Sequence, residues 1–288
     1  MIQYNPKNWY QLIFAVHKSD TIRIMWKEII YMGLFTLLIA FLEITFFPTV
    51  TILSELTTVY SLIGFVISLL LVFRTNTAYD RWWEGRKKWG ELVNDSRNLA
   101  IKLAVIIKTE EDRDFFVRMI PNFTAATKEH LRNGVNLESL DLTNDEVMEL
   151  TNKSHIPNAI SQLMYERVIA LKKKEVISEE EFIILDRNIN AFLDSLGACE
   201  RIKNTPIPFS YSLFLKKFIF IYVMTLPLAF VTNFGYFSAL IATFVFYVFV
   251  SMEVLAEEIE DPFGSDDNDL PTDILTDKIK ANVIEVFI

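Results

Sequence analysis

Residues 218–252 read FIFIYVMTLPLAFVTNFGYFSALIATFVFYVFVSM, an apolar run without a charged side chain. As one straight helix this run would reach roughly 50 Å, well past the ~30 Å hydrocarbon core of a bilayer. It must fold back, and Thr232-Asn233-Phe234-Gly235 supplies the turn chemistry. Pro227 falls inside the first arm, a position that membrane helices tolerate when neighbours rescue the freed carbonyl. Ile29 to Phe73 reads the same way, with Phe46-Phe47-Pro48-Thr49 as the turn and Glu43 and Glu55 as the only charges. Two hydrophobic hairpins therefore cross a membrane.

The charges around these hairpins orient them. Arg23 and Lys27 precede the first; Arg74 and Arg81 follow it; Arg201, Lys203, Lys216 and Lys217 precede the second. Neither turn holds Lys or Arg, so the positive-inside rule puts both termini and the central region in the cytoplasm. Met1 to Gln11 lacks the pattern of a signal peptide, and the first hairpin is expected to direct insertion. The division that follows is 1–28 an N-terminal cytoplasmic segment, 29–73 the first transmembrane hairpin, 74–212 a helical cytoplasmic domain, 213–255 the second hairpin and 256–288 an acidic cytoplasmic tail. The fold class is an all-α integral membrane protein with four transmembrane helices.

Composition agrees. A chain that is 51% hydrophobic with 24 Phe carries more apolar surface than one soluble domain hides. The single cysteine, Cys199, excludes an internal disulfide and reads as a buried small residue with no base beside it. Three scattered histidines, His17, His130 and His155, leave little for a Cys/His metal site. From Glu253 onward eleven Asp/Glu stand against Lys278 and Lys280, so the tail holds the entire net charge of -9. A neutral body with an acidic tail argues against a nucleic-acid partner.

Between the hairpins, Ala78 to Ile107, Arg113 to Arg132, Asn158 to Lys174 and Ser178 to Cys199 have helical composition and spacing. Ser178 to Glu181 resembles a capping start and Asn133-Gly134 a stop. FRTNTAYDRWWEGRKKWGEL, from Phe73 to Leu92, turns from apolar to basic and aromatic within about two turns. It is either a membrane exit with Trp82, Trp83 and Trp89 at the interface, or a helix that continues past the membrane. On the preceding helix, Phe65, Leu69 and Phe73 form one stripe and Ser61, Gly64 and Ser68 a small-residue stripe beside it. The large stripe faces lipid, or else an axis shared by several copies packed through the small stripe, where it would gate by dewetting.

Three motifs, FRTNTAYDRWWEGRKKWG from Phe73, CERIKNTPIPFSY from Cys199 and DPFGSDDND from Asp261, resemble those of bacterial bestrophins in composition, order and placement. The resemblance implies a homopentameric ion channel around one axial pore, with lipid and small permeant ions as its other partners. It implies that Phe65, Leu69 and Phe73 form the pore neck and that Ile183 forms a second, cytosolic aperture. In eukaryotic bestrophins the segment after the last membrane helix clasps calcium. Carried over by position, Asp266 and Asp269 would give side-chain oxygens and Glu258 and Asp261 backbone carbonyls, although the spacing is not that of an EF-hand.

For the permeant ion, Glu55 would ring the outer mouth and the acidic tail would enrich cations, favouring sodium-like monovalent cations. Arg74 and Arg81 favour anions if they face the vestibule, which keeps a chloride channel as the alternative. An enzyme is not expected, since no nucleophile or ligand set converges. A non-conducting membrane scaffold is the more distant alternative.

Overall fold

The structure is a computed structural model and describes residues 20–47 and 52–288. Pro48 and Thr49, half of the expected first turn, lie outside the described residues, as do His17 and most of the N-terminal segment. The described residues form nine α-helices and no strand: α1 (Asp20–Phe46), α2 (Ile52–Ile106), α3 (Glu110–His130), α4 (Asn144–Leu150), α5 (Ile156–Lys173), α6 (Glu179–Asn204), α7 (Phe209–Phe234), α8 (Ser238–Glu260) and α9 (Thr272–Phe287).

The chain forms two compact units. The apolar unit takes the described residues up to 80 together with 206–260; the polar unit takes 81–205 and 261–288. α2 is one helix of 55 residues that contributes to both, so the expected separate helix from Ala78 is its second half. The expected boundaries at 73/74, 212/213 and 255/256 lie about one to two helical turns from these limits.

Among the described residues three stretches are long and apolar enough to cross a membrane: Ile22–Phe46, Glu55–Ile106, of which 55–80 lie in the apolar unit, and Phe209–Glu260. The last folds back at Gly235, whose φ of 55° lies in the left-handed region that glycine adopts without a Cβ penalty. α7 and α8 then pack against each other, and α1 packs against both. Small side chains permit the close approach of α1 and α8. A Cβ on Gly33 would stand 3.1 Å from Thr243 Oγ1, and Ala40, Ala239 and Ala242 are buried. Thr36 returns its hydroxyl to Met32 O, and Thr232 donates to Glu43 Oε1 at 3.0 Å, giving the buried carboxylate a partner.

The polar unit has a core of a different kind. α3 packs on α5 and α9, and α5 packs on α6, around Trp89, Phe116, Phe123 and Phe192. Phe123 and Phe192 stack tilted with centroids 5.0 Å apart. The capping box expected at α6 forms in both directions, Glu181 N to Ser178 Oγ at 3.2 Å and Ser178 N to Glu181 Oε2 at 2.8 Å. α3 stops where expected, with Gly134 at φ 96° and its N–H on Glu129 O.

Two readings are corrected. Trp89 is fully buried in this core and does not sit at a membrane interface. The acidic tail is not merely a tail: Thr276, Ile279, Val283 and Phe287 recur every three to four residues, and burying that face docks α9 on α3. Arg113 donates to Phe287 O at 2.5 Å and holds the end of this helix.

Candidate functional site

Within the apolar unit, α2 has one buried and one open face. Ile67, Leu71, Arg74 and Ala78 are buried, following the three- and four-residue rhythm that keeps a helix face together. The opposite face exposes Glu55, Leu62, Phe65, Leu69 and Phe73, and continues through Asn76 to Asp80. The three expected neck residues are thus brought onto one open stripe, bounded by a carboxylate at each end. Asn76 and Asp80 were legible as continuations of the Phe65, Leu69, Phe73 spacing.

The small-residue stripe beside it divides. Ser61 and Ser68 are exposed, each hydrogen-bonded to the carbonyl four residues back. Gly64 instead faces α7 of its own chain, where an added Cβ would lie 2.6 Å from the Tyr222 hydroxyl. Its smallness serves the α2–α7 contact, which also holds Tyr222 on Tyr60 O and Thr57 on Ala229 O.

Arg74 points inward. Its guanidinium is 1% exposed, 2.6 Å from Glu260 Oε2 and 3.8 Å from Glu253 Oε2. The other Glu260 oxygen accepts the Ile207 N–H at 2.6 Å, so one half-buried carboxylate ties α2, α8 and the approach to α7 together. Arg81, in the polar unit, donates to the carbonyls of Ile202 and Thr205 and caps the end of α6. Both arginines have structural partners in their own units.

The three motifs separated in sequence meet in the polar unit. Trp82 Nε1 donates to Asn268 O at 3.0 Å, and Gly85 leaves room for Phe263 and Pro262, which a Cβ would meet at 3.1 Å. Glu84 accepts from Arg201 and Asp261 from Lys203, each at 2.5 Å. Arg132 reaches the carbonyls of Phe263 and Gly264 with Nε while its two terminal nitrogens grip Asp273, and these contacts hold the Asp273 carboxyl well below its usual range. Cys199 is buried, and burial pushes its thiol up to about 12, so it is inert as expected.

The turn at 261–269 is shaped around Asp269. Its Oδ2 accepts the Asp266 N–H at 2.6 Å and would lie 2.7 Å from a Cβ on Gly264. Burial pushes the Asp269 carboxyl up to about 6, with the Asp266 and Asp261 carboxylates acting in the same direction and the hydrogen bond from Asp266 opposing them. Asp261 Oδ1 and Asp269 Oδ1 are buried without a hydrogen-bond partner. Such oxygens suit a hard cation, while Lys203 already brings a positive charge to Asp261. Of the four expected calcium residues, Asp261, Asp266 and Asp269 share this unit and Glu258 belongs to the other.

At least five of the tail's eleven carboxylates have cationic partners: Glu253, Glu257, Glu260, Asp261 and Asp273. The acidic excess is therefore less concentrated than its sequence implies. Ile183 is 60% exposed on α6, whose opposite face buries Leu185, Ile189 and Phe192. It is not a core residue, and nothing in its spacing distinguished it from one. The histidines are not all scattered either: His130 and His155 stand side by side against Glu200.

The chain matches the family described as Bacterial/Fungal Bestrophin protein over residues 1–285. It is 33% identical over 285 residues to the voltage-dependent anion channel-forming protein alr2987 of Nostoc sp., covering 96% of this chain and 91% of that one. It is 31% identical over 290 residues to the voltage-dependent anion channel-forming protein YneE of Salmonella typhi, covering 99% and 94%. Among solved structures, two variants of a bacterial bestrophin homologue from Klebsiella pneumoniae superpose with TM-scores of 0.81 and 0.83. Their identities are 30% and 29%, over 90% and 91% of this chain and 98% of theirs. With the family match over nearly its whole length and with membrane-length helices, this chain belongs to the bestrophin family of membrane channel proteins.

Proposed function

We propose that this chain is the subunit of a pentameric ion channel in the bacterial inner membrane, with four transmembrane helices and both termini cytoplasmic. Phe65, Leu69 and Phe73 form its hydrophobic neck and Ile183 a second constriction. The observation that carries this reading is the open face of α2, which presents that stripe between Glu55 and Asp80 while burying Arg74 on the other side. Five copies of such a face would make a ring that wets and dewets, with carboxylates at its ends.

The same face favours monovalent cations. It offers carboxylates, and Arg74 is turned away from it. A second reading, an anion channel, is favoured by the names of the relatives from Nostoc and Salmonella. Calcium at the 261–269 turn, on Asp266, Asp269 and the carbonyl of Asp261, belongs to either reading as a regulator.

The test is the reversal potential of the purified protein in planar bilayers under a salt gradient. A shift toward the cation equilibrium potential supports the cation reading, and a shift toward that of chloride replaces it with the anion reading. Exchanging Phe65, Leu69 and Phe73 for Ala is expected to raise conductance or open probability several-fold; unchanged currents would return the stripe to the lipid face. A monomeric mass in detergent would end the channel proposal.

A further inference from the structure

We propose that His130, His155 and Glu200 form a zinc-binding site in the polar unit, separate from the acidic turn and from the open face of α2. The three residues come from three helices. His130 is the last residue of α3, His155 is the N-cap of α5, and Glu200 lies near the end of α6. Packing of α3 on α5 and of α5 on α6 brings them together.

Both imidazoles aim their Nε2 at the same oxygen. His130 Nε2 is 2.8 Å and His155 Nε2 2.7 Å from Glu200 Oε1, and the two rings lie 4.4 Å apart at 38°. All three ligand atoms fall within 4.8 Å of one another. Two imidazole nitrogens and one carboxylate are the donor set of open zinc sites, in which bonds of about 2 Å hold the ligand atoms roughly 3.3 Å apart in a tetrahedron. The observed spacing is slightly tighter at the carboxylate, so a small retreat of the Glu200 side chain admits the ion.

Access and charge also fit. Each side chain keeps 27–30% of its surface exposed, which gives an ion an entry path and leaves its fourth position to water. Two neutral rings and one carboxylate sum to a single negative charge, which attracts a cation. Nitrogen donors select zinc and its transition-metal neighbours over calcium or magnesium, which prefer all-oxygen shells.

The proton balance is explicit. His155 Nδ1 accepts the Asn158 N–H at 3.3 Å, so in the metal-free protein the neutral ring carries its proton on Nε2 and donates it to Glu200. Zinc taken up at Nε2 moves that proton to Nδ1 and releases the Asn158 contact, which at this length is a weak cap; His130, whose Nε2 also faces Glu200 Oε1, must likewise hold its proton on Nδ1 when it ligates.

The experiment uses the full-length protein in detergent, stripped with EDTA and titrated with zinc chloride by calorimetry, with metal content and thermal unfolding measured in parallel. One zinc per chain at micromolar affinity or tighter is expected, with a rise of a few degrees in Tm. His155→Asn keeps an N-cap acceptor for α5, and His130→Gln keeps the volume near that of the ring, so both should fold. Each is expected to lose about tenfold or more in zinc affinity and to abolish the Tm rise. Calcium chloride should not compete. Unchanged affinity in His155→Asn, or no zinc on the parent protein at submillimolar concentration, would overturn the site.

Discussion

The two units of this molecule reverse the meaning of exposure. In the polar unit the core is large and apolar and open hydrophobes are fewer, so Ile183 at 60% exposure is informative together with Val105 and Met148, which are open at 68% and 66%. In the apolar unit, Leu62, Phe65, Phe237 and Leu240 are all at least 66% exposed, so exposure of a large hydrophobe says little. There the informative residues are the buried charged ones, Arg74, Glu253 and Glu43, with Glu260 and Thr232 as partners. A neck residue in the apolar unit must be recognised by its place on a helix face and by what bounds that face.

The strongest way to break this comparison is at Arg74. Arg74→Met leaves the buried Glu253 and the half-buried Glu260 beside an apolar side chain and is expected to cost about 3–5 kcal/mol. Thermal unfolding in detergent measures it, with Lys216→Met as the control. Lys216 and Glu257 are 44% and 52% exposed, a pair worth only about 0–1 kcal/mol. If the two variants unfold alike, the buried cluster does not hold the apolar unit together.

Gly64→Ala tests whether close packing inside the chain governs the small-residue stripe. Its new Cβ meets the Tyr222 hydroxyl and should cost about 1–3 kcal/mol. In a Tyr222→Phe background most of that penalty should vanish. An equal penalty in both backgrounds would mean that the glycine faces something other than Tyr222.

Asp269 moves the comparison into the polar unit. Its folded pKa is raised, so the stability from its protonated form is fully present below about 3.8 and lost as pH rises through about 6. Asn in its place keeps an acceptor for the Asp266 N–H and removes the buried charge. Asp269→Asn should therefore be more stable than the parent at pH 7 by about 1–2 kcal/mol and unfold at a higher temperature, with the gap closing between pH 6 and 4. A gap independent of pH would remove the burial of charge as its cause. Calcium, if it binds this turn, would stabilise only the parent.

The smallest stability effect is expected at Ile183. Ile183→Ala removes an exposed side chain and should change unfolding by no more than ~0.5 kcal/mol. Single-channel currents should nonetheless change if the residue lines a constriction. A large loss of stability with unchanged current would assign it to packing.

Much of the fold was legible because membrane helices and caps are local. A charge-free run too long for one crossing, a turn with Gly235, and the box at Ser178 and Glu181 are each written within a few dozen residues. The open stripe of α2 was legible for the same reason, since helical periodicity alone aligns Phe65, Leu69 and Phe73. α9 and the short α4 carried local signals that the acidic composition and polar surroundings masked, namely the 276, 279, 283, 287 spacing and the Thr143 capping box with Glu146.

By itself, then, the sequence determined which segments are apolar enough to leave water, where they reverse, and which motifs mark the family, because these properties depend on neighbours along the chain. Only the tertiary structure decided where Arg74 and Arg81 point, that Gly64 belongs to Tyr222, and that His130 and His155 share Glu200. Each of those depends on partners between 25 and 186 residues away. Direction around a helix axis and pairing between helices are set by packing, and no local pattern in one segment encodes what the other will present.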